Sequence, residues 1–384
     1  MSSCQELYNR LSERICGAVE VSNRKQLTNW IWVVVGLLLS HSPALSQIAM
    51  YLPMKTEAES RVTLVRRWLK NFRVDVWAFY QPILARVFQG WQAVEAFIIL
   101  DGVMVFGDRW QIFRLSLQHG CRAIPLAWVV IEGKGVTQVD KLEQMLRRVA
   151  KFLNKRVKRV TFLADRGFRD CDWAEMCLKL GWNYAIRVMT NTFVTLADGR
   201  ACRIDQLGVP HRQRRYYQDA LLTKAETLLT NLSVGWTDGD EKNAPELLAV
   251  ISNQPACRAR LGEYGRRMSI EQSFRDDKSG GFDMAHTRLQ HADRIERLLL
   301  AIAIATLWCH ELGEHVLAEG EPARRQIDPG PSRELSLFQL GLRWLKRYLV
   351  TANHYLPAFL AHLTDLSLKP VINLHPSIIR RFPK

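Results

Sequence analysis

The chain has 384 residues, 48% of them hydrophobic and 24% charged, and its 53 Lys and Arg against 38 Asp and Glu give a net charge of +15. This length exceeds one small core, and the composition excludes a disordered chain. The longest apolar runs, 30–39 and 298–308, are about half the length of a membrane span, so no membrane is expected; the basic excess favours a polyanionic partner.

Residues 1–95 read as a helical N-terminal region, and no basic-then-apolar leader opens it, since Glu6, Arg10, Glu13 and Arg14 fall on a helical pattern. Between Ser42 and Asn71 two short helices are predicted around breaks at Pro43 and Pro53, the second carrying Arg61, Arg66, Arg67 and Lys70. That arrangement suits a helix-turn-helix laid on DNA, with Arg66, Arg67 and Lys70 as contacts, or a helical bundle with a basic outer face.

From Phe97 the texture changes. Strands are predicted at 96–101, 113–117 and 124–131, with turn chemistry at Gly107-Asp108 and His119-Gly120. A helix from Asp140 to Leu153, with Asp140 as its cap, precedes a strand at 159–164. A helix at 172–180 then ends at Gly181, and a strand follows at 183–188. The order β-β-β-α-β-α-β implies an α/β fold with a mixed sheet and helices on its faces. Residues 190–255 read as a β-rich insertion holding the basic-aromatic run His211 to Tyr217 and Trp236, with turns at Asp198-Gly199 and Asp238-Gly239. An apolar helix is expected at 292–308, a linker or exposed loop at 319–334, and a helical, then irregular and basic, tail from 335. The eight cysteines contain no Cys-x-x-Cys pair, and the nearest two, Cys171 and Cys177, have no His at zinc spacing. They read as reduced thiols of a cytoplasmic protein.

The most informative segment is YGRRMSIEQSFRDDK, Tyr264 to Lys278. On one helix Tyr264, Arg267, Glu271 and Lys278 would share a sector of about 60°. A solvated face with an ordinary i,i+4 pair would also explain them. Two further acids favour chemistry: Asp101 ends the first predicted strand and Asp165 the fourth, and these strands can be sheet neighbours. Three carboxylates converging with Glu271 would raise one another's pKa, and a hard divalent ion, Mg²⁺ with Mn²⁺ as a substitute, relieves that repulsion. Asp108 competes with Asp101 but sits at a hairpin tip, while Asp276 and Asp277 compete with Glu271 but lie off the stripe.

On these residues the chain resembles the DDE transposases of bacterial insertion sequences, in the cut-and-paste group with a Tyr-x2-Arg-x3-Glu-x6-Lys signature. Tyr264, Arg267, Glu271 and Lys278 match its spacing without gaps. Asp165 in Leu-Ala-Asp-Arg-Gly-Phe resembles the family's second acid, and Asp101 after Phe-Ile-Ile-Leu the first. Val103 stands where the family often has Thr or Ser. The resemblance implies an RNase H-like core (96–189 and 256–310), interrupted by the 190–255 insertion and followed by a C-terminal region (311–384) for dimerisation or DNA contacts. It implies Asp101, Asp165 and Glu271 as catalytic metal ligands, with Tyr264, Arg267 and Lys278 on phosphates. The implied partners are double-stranded DNA, as terminal inverted repeats and target, and a second copy in a synaptic homodimer associated with the bacterial nucleoid. A hairpin intermediate implies a flipped base on an aromatic ring, for which Trp236 is the candidate, with a core tryptophan as the other reading. The remaining alternatives are a structure-specific nuclease on the same core and a non-catalytic repressor derived from a transposase.

Overall fold

The structure, a computed structural model, describes residues 3–351 except 21–22, 93, 136–137, 169–170, 224–227, 238–243 and 285–286. The turn expected at Asp238-Gly239 and the irregular basic tail lie outside the described residues.

The N-terminal region is helical as expected: α1 Ser3–Cys16, α2 Arg24–Ser40, α3 Leu45–Ala49, α4 Ala58–Lys70 and α5 Val76–Val87. The 30–39 run lies in α2, which buries Trp30 and Ile31 completely against the core. Asn23 caps its N-terminus by accepting from the Lys25 amide, and Asp75 does the same for α5 through the Ala78 amide at 2.7 Å. The side chain of Arg61 reaches back from α4 to the carbonyls of Ala49, Met54 and Thr56, fixing the turn between α3 and α4.

Strands β1 Glu95–Val105, β2 Trp110–His119 and β3 Arg122–Glu132 form an antiparallel meander. Its first turn places Phe106, Gly107 and Asp108 at positive φ, so Asp108 sits at the hairpin tip. Helix α6 Val139–Leu153 leads to β4 Arg159–Ala164, and α7 Cys171–Lys179 to β5 Asn183–Val188. β4 lies parallel to both β1 and β5. The expected cap at Asp140 is displaced: the helix starts at Val139, and Asp140 lies inside its first turn, where a carboxylate still favours the positive end of the dipole.

The 190–255 segment is mostly strand, and it extends the central sheet. β6 Phe193–Thr195, β7 Ala201–Arg203, β8 Arg214–Leu222, β9 Leu228–Trp236 and β10 Leu247–Ser252 complete ten strands in the order β3-β2-β1-β4-β5-β10-β9-β8-β6-β7. β5 would otherwise expose unpaired backbone groups along one edge; β10 pairs with it antiparallel.

The two faces of the sheet bury different partners, because successive side chains of a strand point to opposite sides. Ile98, Leu100 and Phe162 join the large core that includes α6 and α2. Ile99, Leu163, Ala185 and Val250 pack instead against Leu261, Tyr264, Ile270 and Phe274. Those four come from α8 Arg258–Gly265 and α9 Met268–Arg275.

The long helix α10 Ala292–Ala318 runs ten residues beyond the expected 308 and carries α12 Leu337–Thr351 against it. This contact requires glycine. A Cβ at Gly341 would stand 1.9 Å from the Cys309 carbonyl oxygen, and one at Gly313 would stand 2.1 Å from that of Leu337. The segment expected as an exposed linker holds the short α11 Glu321–Arg324 and folds around Arg324, whose buried guanidinium donates to the carbonyls of Asp328 and Gly330. Among the described residues no helix is long and apolar enough to cross a membrane.

Candidate active site

The motif segment is not one uninterrupted α-helix. α8 ends at Gly265, and at the junction the amides of Arg266, Arg267, Ser269 and Ile270 bond three residues back, the tighter 3₁₀ pattern. α9 follows, and Asp276–Gly280 forms a π-helical turn. Tight and wide turns on either side of Glu271 shift the angles that a uniform 100° per residue assigns, so the simple stripe does not survive. Tyr264, Arg267 and Glu271 nevertheless meet, and Lys278 lies in the π turn, half-buried.

Asp101 does not end its strand as expected. β1 continues to Val105, paired with β2 alone, while the last rung with β4 is Leu100 to Ala164. Asp101 is therefore one residue past the point where its parallel neighbour stops, beside Asp165, the first residue after β4. Backbone amides brace both carboxylates: Gly102 donates to Asp101 and Arg166 to Asp165, each at 2.8 Å.

Arg267 stands at the centre. Its side chain is 8% exposed; one terminal nitrogen lies 2.6 Å from Asp101, and the other lies 2.6 Å from Glu271 and 3.8 Å from Asp165. The Tyr264 hydroxyl donates to Asp165 at 3.0 Å and accepts from Arg267 Nε at 3.2 Å. Burial pushes the Asp101 carboxyl up to about 6 against the pull of Arg267, which leaves it ionised at neutral pH. Burial acts the same way on Asp165, but Arg267, the Arg166 amide and Tyr264 outweigh it and hold that carboxyl below the usual range. Burial raises the Tyr264 phenol to about 12, so it stays protonated as a donor.

Three carboxylates from three elements thus share one buried cation. Among the described residues no three acidic, His or Cys groups stand close enough to hold a metal ion, because the guanidinium lies between the carboxylates. The donor set itself, three carboxylates of which Asp101 and Asp165 are braced by backbone amides, is the kind that suits a hard divalent ion.

Asp276 and Asp277, which lie off the motif stripe, both have a definite place. Asp277 pairs with Arg114, and Asp276 with Arg122. Arg114 is 2% exposed and lies over the Phe274 ring at 4.4 Å; it is also the residue directly opposite Asp101 across β1 and β2. These pairs clamp the end of the motif helix onto the strand next to Asp101. The signal was present in the sequence: Arg114 is the one charge inside the apolar run of β2.

The other expected residues lie on β9 and α4. Trp236 is half-buried at the end of β9, donates from its indole to the Val209 carbonyl at 3.0 Å, and sits 5.1 Å from the His211 ring. Arg66, Arg67 and Lys70 are exposed on α4, and Arg66 pairs with Glu59 at 3.2 Å.

The family described as "Transposase DDE domain" matches residues 115–308, about half of the chain. The match contains Asp165 and Glu271 and begins after Asp101, whose place in the site rests on the geometry. Among solved structures the chain is similar to a cryo-EM structure of a piggyBac transposase synaptic complex with hairpin DNA, at 10% identity and a TM-score of 0.45, over 98% of this chain and 86% of that one. No curated protein matches the chain.

Proposed function

The chain belongs to the transposase DDE domain family, and from that premise we propose that it cuts DNA at the terminal inverted repeats of a mobile element and joins the freed ends to target DNA. The observation that carries this reading is the convergence of Asp101, Asp165 and Glu271 on one buried cation. We take the β-β-β-α-β-α-β core with its interposed strands as RNase H-like, and residues 1–95 as a DNA-binding region.

In this reading Asp101, Asp165 and Glu271 would hold Mg²⁺, or Mn²⁺ in its place, and the chemistry supplied when it is bound would be activation of a water or 3′-hydroxyl and charge stabilisation at the leaving oxygen. The chain's own groups set the geometry. Tyr264 fixes the orientation of Asp165 through its hydroxyl, and the Gly102 and Arg166 amides fix the carboxylates from behind. Arg267 balances their charge and, on release, presents a planar fork suited to a phosphate. Lys278 serves as a point charge on a neighbouring phosphate. Cleavage through a hairpin needs a sharply bent strand, and Trp236 is the ring we assign to the flipped base. Two copies of the chain would bring the two element ends together.

The test uses the full chain with a duplex bearing one element end. Asp101→Ala, Asp165→Ala and Glu271→Ala should each abolish Mg²⁺-dependent cleavage and leave DNA binding largely intact. Wild-type cleavage by Glu271→Ala would overturn the assignment. Cutting without joining to a target plasmid would favour a structure-specific nuclease. Binding without any metal-dependent product would favour a repressor.

A further inference from the structure

A second polar site lies elsewhere. A cleft of about 910 Å³ separates α3 and α4 from the segment that joins the motif helix to α10, and it shares no residue with the carboxylate centre. Val62, Arg66 and Leu69 face it from α4, at the i, i+4, i+7 spacing of one helical face. Arg288, His291 and Arg294 face it from the other side. Asp283 is the one carboxylate in the lining, against three arginines.

The arginines of the far wall are uncommitted. Arg288 is exposed and Arg294 half-buried, and neither guanidinium makes a hydrogen bond or ion pair among the described residues. A structural arginine in this chain looks different: Arg114, Arg267, Arg297 and Arg324 are all buried and all bonded to carboxylates or carbonyls. Ser42, Ser46, Gln47 and Gln290 add neutral polar groups to the same lining. Guanidinium groups on two walls, with neutral hydrogen-bonding groups in the same lining, complement a chain of phosphates better than a single small anion. A net charge of +15 over the whole chain draws such a polyanion in.

We propose that this cleft grips the phosphate backbone of duplex DNA, with Arg288 and Arg294 opposite Arg66 as its charge contacts. The proposal rests on the reading of the chain as a DNA-processing enzyme, and it places part of the grip on the segment that leaves the motif helix. DNA held here is tied by a short stretch of chain to the helix bearing Glu271. Recognition of this kind positions the duplex and carries no base sequence of its own.

The experiment measures binding of the full chain to a fluorescent random-sequence duplex of about 30 base pairs, long enough for roughly three helical turns, across a salt series. The variant Arg288→Ala/Arg294→Ala should bind about tenfold more weakly. Its log–log salt slope should be shallower by about 1.8, the loss of two phosphate contacts. Melting temperature serves as the fold control, and Arg288→Lys/Arg294→Lys should recover most of the binding. Affinity and slope unchanged in a folded double-alanine variant would overturn the cleft while leaving the cleavage reading intact. Displacement of a nucleotide or an acidic peptide, but not of duplex, by the same substitutions would also overturn it. Conversely, if wild type binds the duplex through these arginines yet yields no metal-dependent product, the cleft stands and the enzymatic reading falls.

Discussion

Arg267→Gln separates two consequences that a phosphate-binding arginine at the protein surface would not have. The guanidinium is 8% exposed and lies 2.6 Å from both Asp101 and Glu271. At an effective dielectric constant of about 20, one such contact near 3 Å has a gross Coulomb energy of about 5 kcal/mol, most of it offset by desolvation. Glu271 is 42% exposed, so its share is further reduced by solvent. Removing the shared cation leaves Asp101 and Asp165 facing each other, and breaking a buried pair from one side costs about 3–5 kcal/mol. For a chain of 384 residues, at about 2.1 cal/mol/K of unfolding entropy per residue, that is a fall in melting temperature of roughly 4–6 °C without metal. The same substitution removes a competitor for the space between the carboxylates. If displacing the guanidinium withholds only about 1.4 kcal/mol from cation binding, the variant should bind Mn²⁺ about tenfold more tightly in the absence of DNA. Calorimetry or Mn²⁺ paramagnetic resonance reads the affinity, and melting with and without Mn²⁺ reads the linked stability. The expected pattern is a weaker apo fold with a larger Mn²⁺ rescue than wild type. Equal Mn²⁺ affinity and equal apo stability would refute the role given to Arg267.

Two further outcomes concern the support behind the site. Gly341→Ala places a methyl group where the Cys309 carbonyl oxygen stands 1.9 Å away, so α12 must move off α10. A loss of about 1–3 kcal/mol is expected from denaturant unfolding, and a change within about 0.5 kcal/mol would show that the helices slide freely. His310 is buried, its Nδ1 meets the Thr306 carbonyl, and burial, with His119 nearby, lowers it to about 3. A lowered folded pKa means that this stability is full above about pH 6.5 and is lost as the pH falls toward 3, by about 1.4 kcal/mol per unit. His310→Phe should therefore flatten the decline in melting temperature between pH 6.5 and 5; a decline parallel to wild type would assign acid sensitivity to other groups.

The core was legible because its elements are bounded by strong local signals. The seven elements from Glu95 to Val188 appear in the expected order, with Gly107 and Gly120 at positive φ in the two hairpin turns and Gly181 closing α7. What local pattern could not give was pairing at a distance. The short Thr- and Val-rich runs of 190–255 read as a separate β insertion, yet β10 hydrogen-bonds to β5 and makes them one sheet. Arg324 offers the same lesson in a loop. Pro, Gly and charge usually indicate solvent, but here one arginine satisfies two carbonyls at once and gives the loop a buried centre.

At the site, residue types and spacing identified Tyr264, Arg267 and Glu271, but their division of labour depended on depth. Spacing treats Arg267 and Lys278 alike, as cations on either side of a carboxylate. Burial separates them: Arg267 is 8% exposed and held by carboxylates, whereas Lys278 is half-buried in a widened turn and outside the carboxylate cluster. The reason lies in Asp101 and Asp165, which the β1 and β4 register sets side by side. Two adjacent carboxylates in a half-dry cleft require a nearby positive charge, and the tightened turn between α8 and α9 aims Arg267 at them. Asp276 and Asp277 complete this logic from the opposite end. Paired with Arg122 and Arg114, they anchor the motif helix to the strands beside Asp101, so the acids that looked like rivals of Glu271 are the ones that hold it in place.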